Sequence, residues 1–152
     1  MTRIRSNLLI RVCAMGMVLE ASPAATAAAP AGRYTVGTDT VLDTLTHLTW
    51  QRGAAPAPYS WSAAGTYCQT LSLGGFSAGW RLPAIKELDT LVDDSVSNPA
   101  IDSAAFPSTP ATYFWSSSPG ASNTGYAWVV DFFYGDTTGY YVTSSGQVRC
   151  VR

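Results

Sequence analysis

The chain has 152 residues, 47% of them hydrophobic and 12% aromatic, with nine basic and ten acidic side chains for a net charge of −1. That length suits one domain rather than two, and the apolar content excludes an intrinsically disordered chain. Charged residues make up only 12%, so no basic field is available for nucleic acid or an anionic membrane surface.

Residues 1–27 read as a secretory signal peptide. MTRIR is the basic start, LLIRVCAMGMVL the apolar segment, and SPAATAAAP the small-residue run, with cleavage expected after Ala27 or Ala29, the second disfavoured by Pro30. Arg11 interrupts the apolar segment, which leaves it short of the roughly 18 uninterrupted apolar residues of a spanning helix. The expectation is an exported protein, secreted, periplasmic or at the cell surface, with no membrane insertion once the leader is gone. Residues 28–152 then form one domain with six basic and nine acidic residues, a net charge of −3. Cys13 leaves with the leader, and Cys68 and Cys150 remain. In an exported protein, two remaining cysteines point to one disulfide. Its loop of roughly eighty residues would contribute about 4 kcal/mol in the chain-entropy picture. Two thiols and a single histidine do not complete a closed zinc shell.

Arg33 to Asp43 and His47 to Gln51 alternate in polarity and read as strands of a hairpin turning near Asp43-Thr44. GAAPAP, residues 53–58, is a loop. Ser60 is placed to cap a helix over 61–71, whose Trp61, Ala64, Cys68 and Leu71 share one face, with Gly74-Gly75 as its stop. Cys68 therefore faces the core. Pro83 suits the first turn of a second helix over 84–92, anchored by Ile85, Leu88, Leu91 and Val92. Glu87 lies near its N-terminal end, a favourable place for the helix dipole. Trp80-Arg81-Leu82 leads into it as extended chain, and Arg81 is expected to pair with Glu87, Asp131 or loop carbonyls. Asn98 to Pro110 is irregular, and strands are expected at 113–117, 126–133, 139–143 and 147–151. Strand alternation predicts Trp115, Trp128, Val130 and Phe132 in the core.

In order, the chain carries VLD at 41–43, LTWQ at 48–51, Trp61-xx-Ala64-xx-Tyr67-Cys68-xx-Leu71, WRLP at 80–83, Glu87-Leu88, Tyr113-x-Trp115-Ser-Ser117 and VRCVR at 148–152. This ordered set resembles the Lcl C-terminal domain family, named for the C-terminal domain of a bacterial collagen-like adhesin. The resemblance covers nearly all of the chain after the leader. It implies an α+β, C-type-lectin-like fold: two helices, small antiparallel sheets and one disulfide. Such folds commonly bridge a first-helix cysteine to one in the last strand, which Cys68 and Cys150 match. Trp80, Arg81, Pro83, Glu87 and Trp115 are expected to have structural roles. His47 departs from the pattern, which usually has a glycine in the turn before Leu-Thr-Trp.

No complete catalytic set emerges. His47 is the only histidine and has Asp43 as its sole nearby carboxylate, no Gly-x-Ser-x-Gly elbow follows a strand, and phosphate-binding glycine loops are absent. The related sulfatase-modifying domains need reactive cysteines, and here both are assigned to a disulfide. The chain is therefore expected not to be an enzyme, and no cofactor is expected. A calcium site at Asp93, Asp94, Asn98 and Asp102, or at Asp131 and Asp136, is the minority reading, because calcium wants about six to eight oxygens. The informative segment is 113–146, where tyrosine and tryptophan interleave with Ser, Gly, Thr and Asn, the composition of adaptable binding surfaces. Asn123, Tyr134, Asp136 and Tyr140, at or near its turns, are the ligand-binding candidates, for a glycan or protein ligand. A structural envelope or appendage subunit, with the same aromatics as a homo-oligomer contact, is the alternative.

Overall fold

The computed structural model describes residues 30–152, so the expected signal peptide lies outside the described residues. The fold is mixed α and β. Three short strands, β1 (Tyr34–Val36), β2 (Thr40–Asp43) and β3 (Thr49–Gln51), form an antiparallel meander. Two helices follow, α1 (Trp61–Thr70) and α2 (Ile85–Asp89), and then a second antiparallel meander of β4 (Tyr113–Pro119), β5 (Tyr126–Asp131) and β6 (Asp136–Tyr141).

The alternating segment 33–43 is two strands rather than one. It folds back at Gly37, whose N–H donates to the Thr40 carbonyl at 2.8 Å. The next turn holds His47 at φ +59°, in the left-handed region. This is the position where the family pattern favours glycine, and histidine tolerates it better than most residues.

α1 buries Ala64 and Cys68 as its spacing predicts. Ser60 sits at the N-cap without a side-chain capping bond, and the helix ends at Thr70 because Leu71 is already extended. Gly74 and Gly75 are therefore not its stop; both have positive φ and turn the chain between Leu73 and Phe76, which exchange 3.0 Å backbone bonds. α2 is shorter than its apolar spacing predicts. After Asp89 the chain tightens into three-residue turns, with Thr90, Leu91 and Val92 N–H groups donating to the carbonyls three residues back. Leu91 still reaches the core.

The β4–β6 sheet separates two apolar clusters. Phe114, Val130 and Phe132 face one that includes Leu88 of α2 together with Val41, Trp50, Ile101 and Phe106. Trp115, Ala127 and Val129 face the other, with Ala64 and Cys68 of α1 and with Trp80, Leu82 and Cys150. Successive strand residues feeding opposite clusters is what the pleat dictates. The expected last strand, 147–151, joins neither sheet as a full strand. Instead it is a seam: Gln147 pairs with β4, Cys150 accepts from Gln51, and Val151 bridges Trp50 and Arg81. The Cys68–Cys150 disulfide, spanning 82 residues, ties α1 to this seam.

Arg149 lies on the seam and is fully buried, with no carboxylate partner among the described residues. It donates to the Arg52 carbonyl at 2.7 Å and to the Thr109 hydroxyl at 2.8 Å, and its guanidinium lies 4.5 Å from the Phe106 ring centre. Burial pulls its pKa down to about 9, which still leaves it cationic at neutral pH.

Candidate functional site

The WRLPAIKEL stretch is an anchor. Trp80 is buried, and Arg81 exchanges two 2.9 Å backbone bonds with Val151. Both terminal nitrogens of the Arg81 guanidinium meet Glu87 at 2.7 Å. That contact holds the Glu87 carboxyl below its ordinary range. One Glu87 oxygen also accepts from the Ala84 N–H at 2.8 Å, half of a capping box. Alanine cannot return the second bond, and Ser118 of β4 supplies a hydroxyl instead, accepting from the Ile85 N–H at 3.0 Å. Pro83 is buried, and its carbonyl accepts from the Ser117 N–H at 2.7 Å.

Ser116 to Ser118 form a bulge in β4, because Trp115 pairs with Val129 while Pro119 pairs with Ala127. The buried Ser116 hydroxyl donates to the Trp128 carbonyl at 2.7 Å, and the Ser116 carbonyl accepts from the Trp61 indole at 2.7 Å. The serine run therefore joins α1, α2 and β5. Trp115 is fully buried against Tyr140, with ring centres 5.5 Å apart, and its indole donates to the Tyr59 carbonyl at 2.8 Å.

The four expected ligand-binding residues do not form one cluster. Asn123 lies in the β4–β5 turn, where its side-chain oxygen accepts from the Gly125 N–H at 2.8 Å. Tyr134 is 68% exposed in the β5–β6 turn, and Asp136 follows it, directly across from Asp131. These two turns lie at opposite ends of β5, about 20 Å apart at the rise of a strand. Tyr140 is partly buried on the α1 side of the sheet, 4.8 Å from the Tyr113 ring.

Trp128 corrects the core expectation. Alternation does put it on the side of Val130, but α2 is too short to roof it, and it is 38% exposed. It borders a cleft with Ile85, Lys86, Asp89 and Thr137. Tyr126 and Tyr141 pair across the strands on the same side, with ring centres 4.3 Å apart. Gly139 stands opposite Trp128, and a Cβ there would touch the Tyr126 ring at 3.6 Å. Glycine thus leaves the surface beside Trp128 without a side chain. The Tyr141 hydroxyl pushes the Tyr126 phenol up. In sequence, alternation groups Tyr126 with Trp128 and Gly139 with Tyr141, and the β5–β6 register then puts both pairs on one face.

Among the described residues no three His, Cys, Asp or Glu side chains converge as a metal site. Asp93 accepts from Ser95, Asp102 from the Ala104 and Ala105 N–H groups, and Asp131 from the Phe133 N–H, so each closes its own turn. His47 is exposed in its turn, and Asp43 beside it is buried and engaged by Arg33 at 2.8 Å and by the Leu45 N–H at 3.0 Å. Burial pushes the Asp43 carboxyl up, and these two partners more than offset that, leaving it below its ordinary range. Among the described residues no helix is long and apolar enough to cross a membrane.

Comparison with known proteins adds one finding. A search of curated proteins returns no match. Residues 39–152, from the start of β2 through the seam, match the family described as Lcl C-terminal domain. The matched span holds both helices, the disulfide, the WRLP anchor and the aromatic face, and the chain belongs to the Lcl C-terminal domain family.

Proposed function

We propose that this is an exported, non-catalytic recognition domain of adhesin type, on a C-type-lectin-like scaffold. Its ligand, a glycan or a protein, would engage the face formed by Tyr126, Trp128 and Tyr141. One observation carries the reading: three aromatic side chains share the uncovered part of one sheet face, with Gly139 across from Trp128 adding no side chain between them. Rings of this kind offer large contact area at low entropic cost, and sheet and helix hold them in place. The α1-to-seam disulfide supports the scaffold assignment, and family membership supports the adhesin type. The test is a glycan array with a parallel pull-down from envelope and host extracts, using the intact domain and its Trp128→Ala variant. Ligand retained by the first and lost by the second is the expected result. Blank arrays and pull-downs, or undiminished capture by the variant, would sink the proposal.

A second reading rests on β6, an edge strand whose residues are nearly all exposed and which lacks the lysine or proline that usually guards an edge. A structural subunit would pair β6 with a second copy and cover Tyr141. Light scattering distinguishes the two: a stable oligomer broken by Thr137→Pro, whose N–H points away from β5, favours the subunit.

A further inference from the structure

α1 presents two stripes. Ala64 and Cys68 go to the core, while Trp61, Ser62, Gly65 and Gln69 face a cleft of about 380 Å³. Arg81, Leu82 and Ser117 form its other side. That volume lies within the roughly 300–1,000 Å³ of small-ligand sites.

Gly65 has no folding reason to be glycine. It does not adopt positive φ, and a Cβ there would meet nothing within 4 Å. In mid-helix it costs about 1 kcal/mol against alanine. Its one structural consequence is an open cleft. The Trp61 ring beside it is immobilised by its 2.7 Å bond to the Ser116 carbonyl. Leu82 is a buried apolar floor. Around these, the Ser62, Gln69 and Ser117 side chains make no hydrogen bond among the described residues, and all three are exposed. Arg81 is 47% exposed, and Glu87 occupies only one N–H of each terminal nitrogen. The Arg81–Glu87 pair is neutral as a unit, so the cleft has fixed donors without a net charge. An anionic ligand would have to compete with Glu87 for the guanidinium.

We propose that this cleft binds a neutral saccharide residue. One pyranose ring would stack its C–H face on Trp61 and Leu82, and its hydroxyls would be met by Ser62, Gln69, Ser117 and the remaining Arg81 N–H groups. The site shares no lining residue with the aromatic face, so either site can fail without the other.

The experiment is an NMR titration of the ¹⁵N-labelled protein with methyl glycosides of glucose, galactose, mannose and N-acetylglucosamine, and with glucuronate as the anionic probe. The Trp61 indole N–H and the Gly65 amide are the reporters. At least one neutral glycoside is expected to move both signals to saturation in the millimolar range. Gly65→Leu, which fills the cleft and improves the helix, should weaken that binding at least about tenfold with an unchanged or higher melting temperature. Trp128→Ala should leave this millimolar binding, too weak to retain a ligand on an array or in a pull-down, unaltered. No movement by any neutral glycoside up to about 100 mM, tighter binding of glucuronate, or binding that survives Gly65→Leu would each overturn the proposal.

Discussion

The two faces of the β4–β6 sheet carry similar aromatic residues to opposite ends. On the α1 side, Trp115 and Tyr140 are packed under a helix that the Cys68–Cys150 disulfide locks in place. On the α2 side, Phe114 and Val130 are covered, but Trp128, 56%-exposed Tyr141 and Tyr126 extend past the end of a five-residue helix. Both faces alternate correctly, so alternation alone does not decide which ring is core. What decides is the length of the element laid over it. A tryptophan beyond the roof stays exposed.

Breaking the covered face should have the largest effects. Replacing Cys68 and Cys150 with serine removes a cross-link over 82 residues and should cost about 4.5 kcal/mol by loop entropy, read from denaturant unfolding. Trp115→Ala should cost about 4 kcal/mol. Trp128→Ala is its counterpart and should stay within about 1 kcal/mol while abolishing ligand capture; equal destabilisation of the two variants would erase the contrast between the faces. Gly146→Ala tests the covered face more finely. A Cβ there falls 2.8 Å from the Trp115 indole nitrogen, which is rigidly held, so about 2 kcal/mol should be lost.

Smaller effects belong to the anchor and the turns. Asp43 and Glu87 both titrate below their ordinary values of 3.8 and 4.5 in the folded chain. The unfolded chain therefore binds protons first, and the stability they contribute is full above those values and lost as pH falls through the lower folded ones. The melting temperature should drop below about pH 4, and Glu87→Gln or Arg81→Ala should flatten part of that drop. At neutral pH the half-exposed Arg81–Glu87 pair is worth on the order of 0.5 kcal/mol, so Arg81→Ala should lower the melting temperature slightly. Unchanged stability with lost binding would instead put Arg81 in the ligand site alone. His47→Gly relieves a left-handed histidine, though glycine loosens the unfolded chain, and should raise stability by about 0.5 kcal/mol.

Local physics made much of the fold legible before any contact was known. The Trp61–Ala64–Cys68 spacing placed the first helix and turned Cys68 inward, and Pro83 with Glu87 marked the second helix start. The expected strands at 113–117 and 126–133 located β4 and β5, which run to Pro119 and to Asp131. The β1–β2 turn was missed because Gly37 alone is a weak signal inside an alternating run. The end of α2 was missed because Leu91 and Val92 keep helical spacing while their backbone tightens.

The site lay further out of reach. Its defining contacts join residues far apart in the chain: Ser118 to Ile85, 33 residues away, and Trp61 to Ser116, 55 away. The chain by itself determined which residues are apolar, where helices begin, which cysteines are available and which turns need unusual backbone. Only the tertiary structure decided that Trp128 is surface, that the Ser116–Ser118 bulge is a joint, and that Gly65 opens a cleft. The physical reason is that periodicity reports the direction a side chain points, whereas exposure depends on what another part of the chain lays over it.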